Sequence, residues 1–587
     1  MSANKKKITV LLAIAGLIII GLWLRIAAFP KDGMWFDELY SVWAASGDFP
    51  IGILQRLWED DAHAPLYHYI LHFFMKFFGT SDFAFMMFNT VISIFAIPVT
   101  YLLGVEVAGG KKNENAYKIG LLSALLLTFN YFHICFSNET RFYSLTALFL
   151  TLTTMLFFRL INNGYKRSDI AAIIVLNTLM CYTATQGCLY VFTQALVFGF
   201  YFLFNKRELI KPLVIASFTT ALLFVPYIPF VYHQFWTSQN SFLGAYAHAN
   251  PEFDYLIEAF YNWFAVNPMI YIGVKQFREL GTDYNFARLL LYILEVALFV
   301  MFMFKSITLK DKKSKLLFYV LSAFCLFHVL SYLVHLSPFM PRYLLTFVLF
   351  FAVCYANVLL ALKRQWLAKL IIIMTIVPGI VAMPMGISKS QFALKGRYSN
   401  AIKALDEFNL TSDDIIYKSH SAKLLPPKGV KATPIDVCHN ATFLFYNPRR
   451  LHMIFGDDYL KYNTKEEREN YIEDYIFDPE ININNRNYYN EQIVNLKKGN
   501  HFVLWVPATD WEYEEFAKDY QGFKNQPREM KKEIVRDFTP KKDYYRYLSA
   551  KIDSDYFKLA KQDKRLKLVD VHSEIASGIF LFKKVGD

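Results

Sequence analysis

Apolar residues run almost without interruption from Ile8 to Pro30, broken by Arg25 alone and preceded by Lys5, Lys6 and Lys7. At about 1.5 Å of rise per residue, such a run crosses the roughly 30 Å hydrocarbon layer of a bilayer. A secretory leader has a shorter apolar core and a small-residue cleavage site, so the run predicts a membrane anchor. Similar runs recur at 84–107, 117–136, 142–161, 169–185, 188–204, 212–232, 286–304, 316–336, 341–361 and 367–387. Together they predict about eleven transmembrane helices. After Gly386 the pattern changes. Asp413–Tyr417 and His501–Val506 read as short strands, and Asn400–Phe408 and Thr464–Ile476 as helices, Thr464 being an N-cap. The expected architecture is a polytopic α-helical membrane domain at residues 1–388, followed by a C-terminal soluble mixed α/β domain at residues 389–587.

Two of the predicted connections, 31–83 and 233–285, are too long to be mere linkers. In the first, Trp35–Trp43 is amphipathic, and Pro65–Phe78 is rich in aromatic residues yet short for a span. These stretches predict helices lying at the membrane interface. Loop charges set the orientation. Lys111, Lys112, Lys166, Arg167, Lys206, Arg207, Lys363 and Arg364 fall on the side of the N-terminal lysines, which the positive-inside rule places in the cytoplasm. The opposite loops carry acids such as Asp48, Asp82, Glu252, Glu258 and Glu279. An odd number of spans leaves the C-terminal domain on that outer face.

Composition narrows the function. Of 587 residues, 55% are hydrophobic and only 19% charged, with a mean hydropathy of +0.24, which argues against a cytosolic enzyme. The net charge of +12 does not indicate a nucleic-acid partner. Residues 389–587 hold 33 basic and 30 acidic side chains, against 29 and 20 in residues 1–388, so the excess lies among the apolar runs, where it records topology. Six cysteines show no metal-ligand spacing, and five lie in or beside apolar stretches, so they read as buried thiols. No internal repeat and no Gly-rich phosphate loop is present.

Candidate chemistry gathers at the outer ends of the spans. Asp37 and Glu38 stand side by side among aromatic residues just beyond the first span. Desolvated carboxylates are costly there and suit a general base, although acids opening an exposed helix read equally well. Glu59, Asp60 and Asp61 precede His63, and this cluster suits either a divalent metal or a hydrated loop. Arg141, in Glu139-Thr140-Arg141-Phe142-Tyr143, and Arg342, in Pro341-Arg342-Tyr343, each sit at the outer end of a span. Guanidinium forks there serve as interfacial anchors or, acting jointly, as a phosphate clamp.

These motifs, in their order and spacing over residues 8–360, resemble the polyprenyl-phosphate-dependent glycosyltransferases of the GT-C fold. The similarity is to bacterial members of the protein O-mannosyltransferase family (family 39) and to the aminoarabinose lipid A transferases. The resemblance implies that Asp37 is the base, with Glu38 beside it, and that His63, Arg141 and Arg342 with Tyr343 bind the donor phosphate. The chain reads His63-Ala64-Pro65-Leu66 where the family often has His-Pro-Pro-Leu. The implied reaction moves a sugar from a polyprenyl-phosphate donor to an acceptor hydroxyl, with inversion, at the outer face of a bacterial inner membrane. The acceptor is left open among protein, lipid A and another glycan. The sequence points to no definite cofactor, and a divalent metal stays an open alternative. A transporter or lipid flippase is the competing reading, but its polar or broken helices belong near the midplane. A receptor would leave the acidic first loop idle.

Topology gives the first test. A cysteine engineered into the C-terminal domain should react with a membrane-impermeant maleimide on intact spheroplasts. Labelling only after permeabilisation contradicts the outward placement.

Overall fold

The computed structural model describes residues 3–29, 34, 36–59, 63–239, 284–333, 341–382, 408, 414–418, 421–424, 490, 493–506, 559–574 and 577–586. The helices, in order, are α1 (Ala3–Ala27), α2 (Phe36–Ala45), α3 (Ile51–Glu59), α4 (Pro65–Phe78), α5 (Asp82–Val107), α6 (Ala116–Thr128), α7 (Tyr131–Ser137) and α8 (Tyr143–Asn163). There follow α9 (Arg167–Thr183), α10 (Gln186–Asn205), α11 (Ile210–Phe224), α12 (Ile228–Gln239), α13 (Tyr284–Thr308), α14 (Lys312–Leu333), α15 (Val348–Leu360) and α16 (Gln365–Ala382). A 3₁₀ segment, Pro341–Phe347, leads into α15.

Among the described residues, seven helices are long and apolar enough to cross a membrane, or eight if the α6–α7 pair, bent by 61°, is one span. The chain is a multi-pass membrane protein. The expected count of eleven is reached only by adding α9, α13 and α16. All three are helical where spans were expected, but α9 has 17 residues and the apolar parts of the others are only Val296–Thr308 and Gln365–Val377.

Side-chain pattern explains the layering. The span Arg342–Leu360 is apolar all round and 94% buried, so it forms the centre of the bundle. By contrast α1 turns Ile8, Leu11, Leu12, Ile19 and Trp23 outward, as a lipid-facing helix does. The helices α5 and α6 pass so closely that a Cβ on Gly104 would lie 2.9 Å from Gly120 Cα, which only glycine allows. The bend between α6 and α7 is stabilised by Asn130, whose side chain accepts the His133 N–H at 2.9 Å.

The described residues of the 31–83 connection include α2, α3 and α4. Pro65 opens α4 and Gly79, at φ +83°, ends it. Its inner face buries Tyr67, His68, Leu71 and His72, while Phe73, Phe77 and Phe78 are exposed, the arrangement of an interfacial helix. The helix α3 was not foreseen in the sequence.

Beyond α16 the described residues form a five-stranded sheet in the order β2-β1-β3-β5-β4. It consists of β1 (Ile415–Lys418), β2 (Ser421–Leu424), β3 (His501–Val506), β4 (Leu566–Glu574) and β5 (Ser577–Lys584). Only β1 and β3 pair in parallel; the other neighbours are antiparallel. The expected strands at Asp413–Tyr417 and His501–Val506 coincide with β1 and β3. The helices expected at Asn400–Phe408 and Thr464–Ile476 lie outside the described residues apart from Phe408, as does 240–283 of the second long connection.

Candidate functional site

Asp37 and Glu38 occupy the first turn of α2. Adjacent residues on a helix diverge by about 100°, so the two carboxylates face different partners. Asp37 Oδ2 lies 2.9 Å from Arg342 Nη1, and the two side chains are 18% and 20% exposed. Glu38 is 2% exposed, and its Oε1 accepts the Thr140 backbone N–H at 2.8 Å. It therefore clamps the 138–141 turn onto α2 rather than standing beside Asp37.

That turn aims Arg141. Its Nη1 donates to the Asp37 carbonyl at 2.9 Å and to Ser41 Oγ at 3.1 Å, and its Nη2 donates to His63 Nε2. Ser41 is one helical turn beyond Asp37, on the same face. The turn is held from two further sides. Asn89, on α5, donates to the Glu139 carbonyl and, at 2.9 Å, to Tyr67 Oη. Asn138 donates to the Ala28 carbonyl at 3.0 Å.

His63 is fixed through its backbone, since Gln234 and Tyr227 donate to its carbonyl at 2.8 and 3.4 Å. Its ring packs 5.0 Å from that of Tyr40. The polar spine thus joins α2, the 138–141 turn and α12. On the far side, Arg342 opens the buried last core span. Tyr343 beside it packs edge-on against Tyr143 at 5.9 Å and His328 at 5.8 Å.

Burial, reinforced by the nearby His63 and Arg141, holds the His68 pKa well below the ordinary histidine value. His68 is therefore neutral, and its Nδ1–H donates to the Ala64 carbonyl at 3.1 Å. Burial likewise raises the Tyr67 phenol well above its usual value, so it stays protonated. Permanent positive charge at this place comes from the two guanidiniums.

The structure therefore assembles Asp37, His63, Arg141 and Arg342 into one cluster, with Tyr343 at its edge. Asp60 and Asp61 and the side chain of Glu59 lie outside the described residues. Among the described residues, no group of three His, Cys, Asp or Glu side chains is gathered to hold a metal. Sequence reading missed Ser41, Asn89 and Gln234, and gave Thr140 and Tyr143, which lie in the Glu139–Tyr143 motif, no role of their own. Of the three missed residues, Ser41 left a signal, its four-residue spacing from Asp37.

No protein-family model matches the chain, and no curated protein matches it in sequence. Solved structures do. ArnT from Cupriavidus metallidurans in the apo state is similar over 99% of this chain and 98% of its own, with a TM-score of 0.52 at 9% identity. The same ArnT bound to undecaprenyl phosphate gives 0.51 over the same shares. The chain has the GT-C fold. The oligosaccharyltransferase of Archaeoglobus fulgidus, in complex with Zn and sulfate, covers 86% of this chain and 69% of its own at 13% identity, with a TM-score of 0.45. The Asp37 cluster sits where α2 meets the ends of α1, α7 and α8, with Asn89 of α5 beside it.

The Glu38 clamp is testable without an activity assay. Glu38→Gln keeps an acceptor oxygen and should unfold in detergent close to the wild-type temperature. Glu38→Ala leaves the buried Thr140 N–H without its acceptor and should cost about 1–3 kcal/mol. An alanine variant as stable as wild type contradicts the clamp.

Proposed function

We propose that this chain is a membrane glycosyltransferase moving a sugar from a polyprenyl-phosphate donor to an acceptor hydroxyl, with inversion at the anomeric carbon. The observation that carries the reading is the joint placement of one carboxylate, Asp37, against two guanidiniums, Arg141 and Arg342, on a GT-C fold. A structural neighbour, ArnT, binds undecaprenyl phosphate, a carrier of the proposed class. The reading places the site, and the residues after 388, on the outer face of a bacterial plasma membrane. Protein, lipid A and glycan hydroxyls all remain acceptor classes to be assayed.

The chemistry follows from the geometry. Asp37 accepts the proton of the acceptor hydroxyl as its oxygen attacks the anomeric carbon from the face opposite the phosphate. The bond from that carbon to the phosphate oxygen breaks, and the electron pair leaves on polyprenyl phosphate. Charge grows on the phosphate during this step, so fixed cations stabilise the transition state more than the ground state. Arg141 is preorganised for the task, because Asp37 O and Ser41 Oγ hold one arm of its fork. Arg342 spends its charge on Asp37 in this structure. An incoming phosphate competes for that guanidinium and frees a carboxylate oxygen for the acceptor proton. His63, in contact with Arg141, lines the same phosphate position, with Tyr343 flanking it.

Asp37→Asn keeps the side-chain shape but removes the base. Turnover of a defined lipid-linked sugar should fall about 10²–10⁴-fold, with donor affinity unchanged or tighter because Arg342 has lost its competitor. Arg342→Ala should weaken donor affinity, and Arg342→Lys should restore only part of it, since the fork is lost. Near-normal turnover by Asp37→Asn, with Arg342→Ala binding donor as wild type does, contradicts the reading.

A further inference from the structure

Arg25 lies in the last turn of α1 and is fully buried. Among the described residues its three hydrogen-bond partners are uncharged. Nε donates to Ser93 Oγ at 3.1 Å, Nη1 to the Gly21 carbonyl at 2.9 Å, and Nη2 contacts His133 Nδ1 at 2.8 Å. That ring nitrogen accepts from the guanidinium, so His133 is neutral in this contact. A cation in a membrane helix is expensive, and well-packed apolar residues in place of a buried polar group are often as stable or more so. Stability alone therefore gives no reason for an arginine here.

What the guanidinium holds is α7. This seven-residue helix leaves α6 at 61° and runs directly into the turn that carries Arg141. The end of α1 grips it twice, at His133 through Arg25 and just past its last residue through the Asn138–Ala28 hydrogen bond. The next three residues are the Glu139 carbonyl taken by Asn89, the Thr140 N–H taken by Glu38, and Arg141 itself. A shift of α7 along α1 is thus passed straight to the Arg141 fork.

We propose that Arg25 is a positioning residue for the donor-phosphate site, setting the pose of Arg141 through His133 and α7. The inference rests on the donor reading given above. It also explains the fork geometry at Arg25, since one planar group must reach Ser93 on α5 and His133 on α7 together.

The test combines two readouts on purified protein in detergent: affinity for undecaprenyl phosphate, and hydrogen exchange of the 131–141 backbone. The double variant Arg25→Met with His133→Leu removes both polar partners, so it should unfold near the wild-type temperature. It should nevertheless exchange faster across 138–141 and bind undecaprenyl phosphate roughly 10–100-fold more weakly, with kcat at saturating donor lowered as well, because a displaced Arg141 stabilises less of the charge that grows on the phosphate. His133→Asn retains an acceptor where Nδ1 stands and should restore both readouts to near wild type. Unaltered exchange together with wild-type affinity in the double variant overturns the proposal. Should the double variant fail to fold, Arg25→Lys decides, because an ammonium cannot span both partners; wild-type exchange and affinity in that variant overturn the proposal equally. If wild-type protein itself does not bind undecaprenyl phosphate, the donor reading falls, while the exchange readout still reports whether Arg25 positions the turn.

Discussion

The ion pair between Asp37 and Arg342 is the contact around which one end of the helical bundle is arranged. It joins the first turn of α2, just past the first span, to the start of the most buried span in the bundle. Neither partner is fully exposed or fully buried. In the proposed mechanism such a pair holds two elements together until a donor phosphate takes its place on the guanidinium. The surrounding contacts make that exchange local. Glu38 fixes α2 to the 138–141 turn, Arg141 is anchored on the α2 backbone, and His63 is pinned by Gln234 and Tyr227. With these groups held, only Arg342 has to change partner.

Polar groups in the bundle are costly, and their distribution shows where the fold accepts that cost. Arg25, Asn89, His133 and Asn138 gather at one end of the bundle, where Arg25 contacts His133, Asn89 bonds the Glu139 carbonyl and Asn138 bonds the Ala28 carbonyl. The opposite ends of α5 and α8 carry a separate knot, in which Asn162 bonds Glu106 and receives Lys112 and Lys313. That knot ties the helix ends on the basic side of the topology. The two polar layers are separated by the apolar body of the bundle, so the candidate site is confined to one face.

Much of this was legible in the chain because membrane helices announce themselves by length and apolarity. Every expected span falls on a helix or a bent helix pair, including Gln365–Ala382. Ile51–Glu59 is a short helix within a long connection, and its signal lies in Ile53 and Leu57, one turn apart and both fully buried in the fold. The β4–β5 hairpin was hidden because Leu566–Glu574 mixes charged and apolar positions and carries a register shift between Leu568 and Asp570. At the site, Asp37, Arg141 and Arg342 stood out as charges at membrane edges. Their pairing did not, since nothing in linear order brings position 37 to position 342. Glu38 looked equivalent to Asp37 in sequence. Helical divergence and the Thr140 N–H separate their roles, and the second of these exists only after the chain has folded.

The central claim is that a donor phosphate takes Arg342 away from Asp37, and a structure with a non-hydrolysable polyprenyl-phosphate sugar bound measures it directly. The 2.9 Å contact between Arg342 Nη1 and Asp37 Oδ2 should lengthen beyond ion-pair distance, with both Arg342 and Arg141 on phosphate oxygens and Asp37 facing the acceptor side. An unbroken Asp37–Arg342 pair, with the phosphate bound by other residues, would contradict the account.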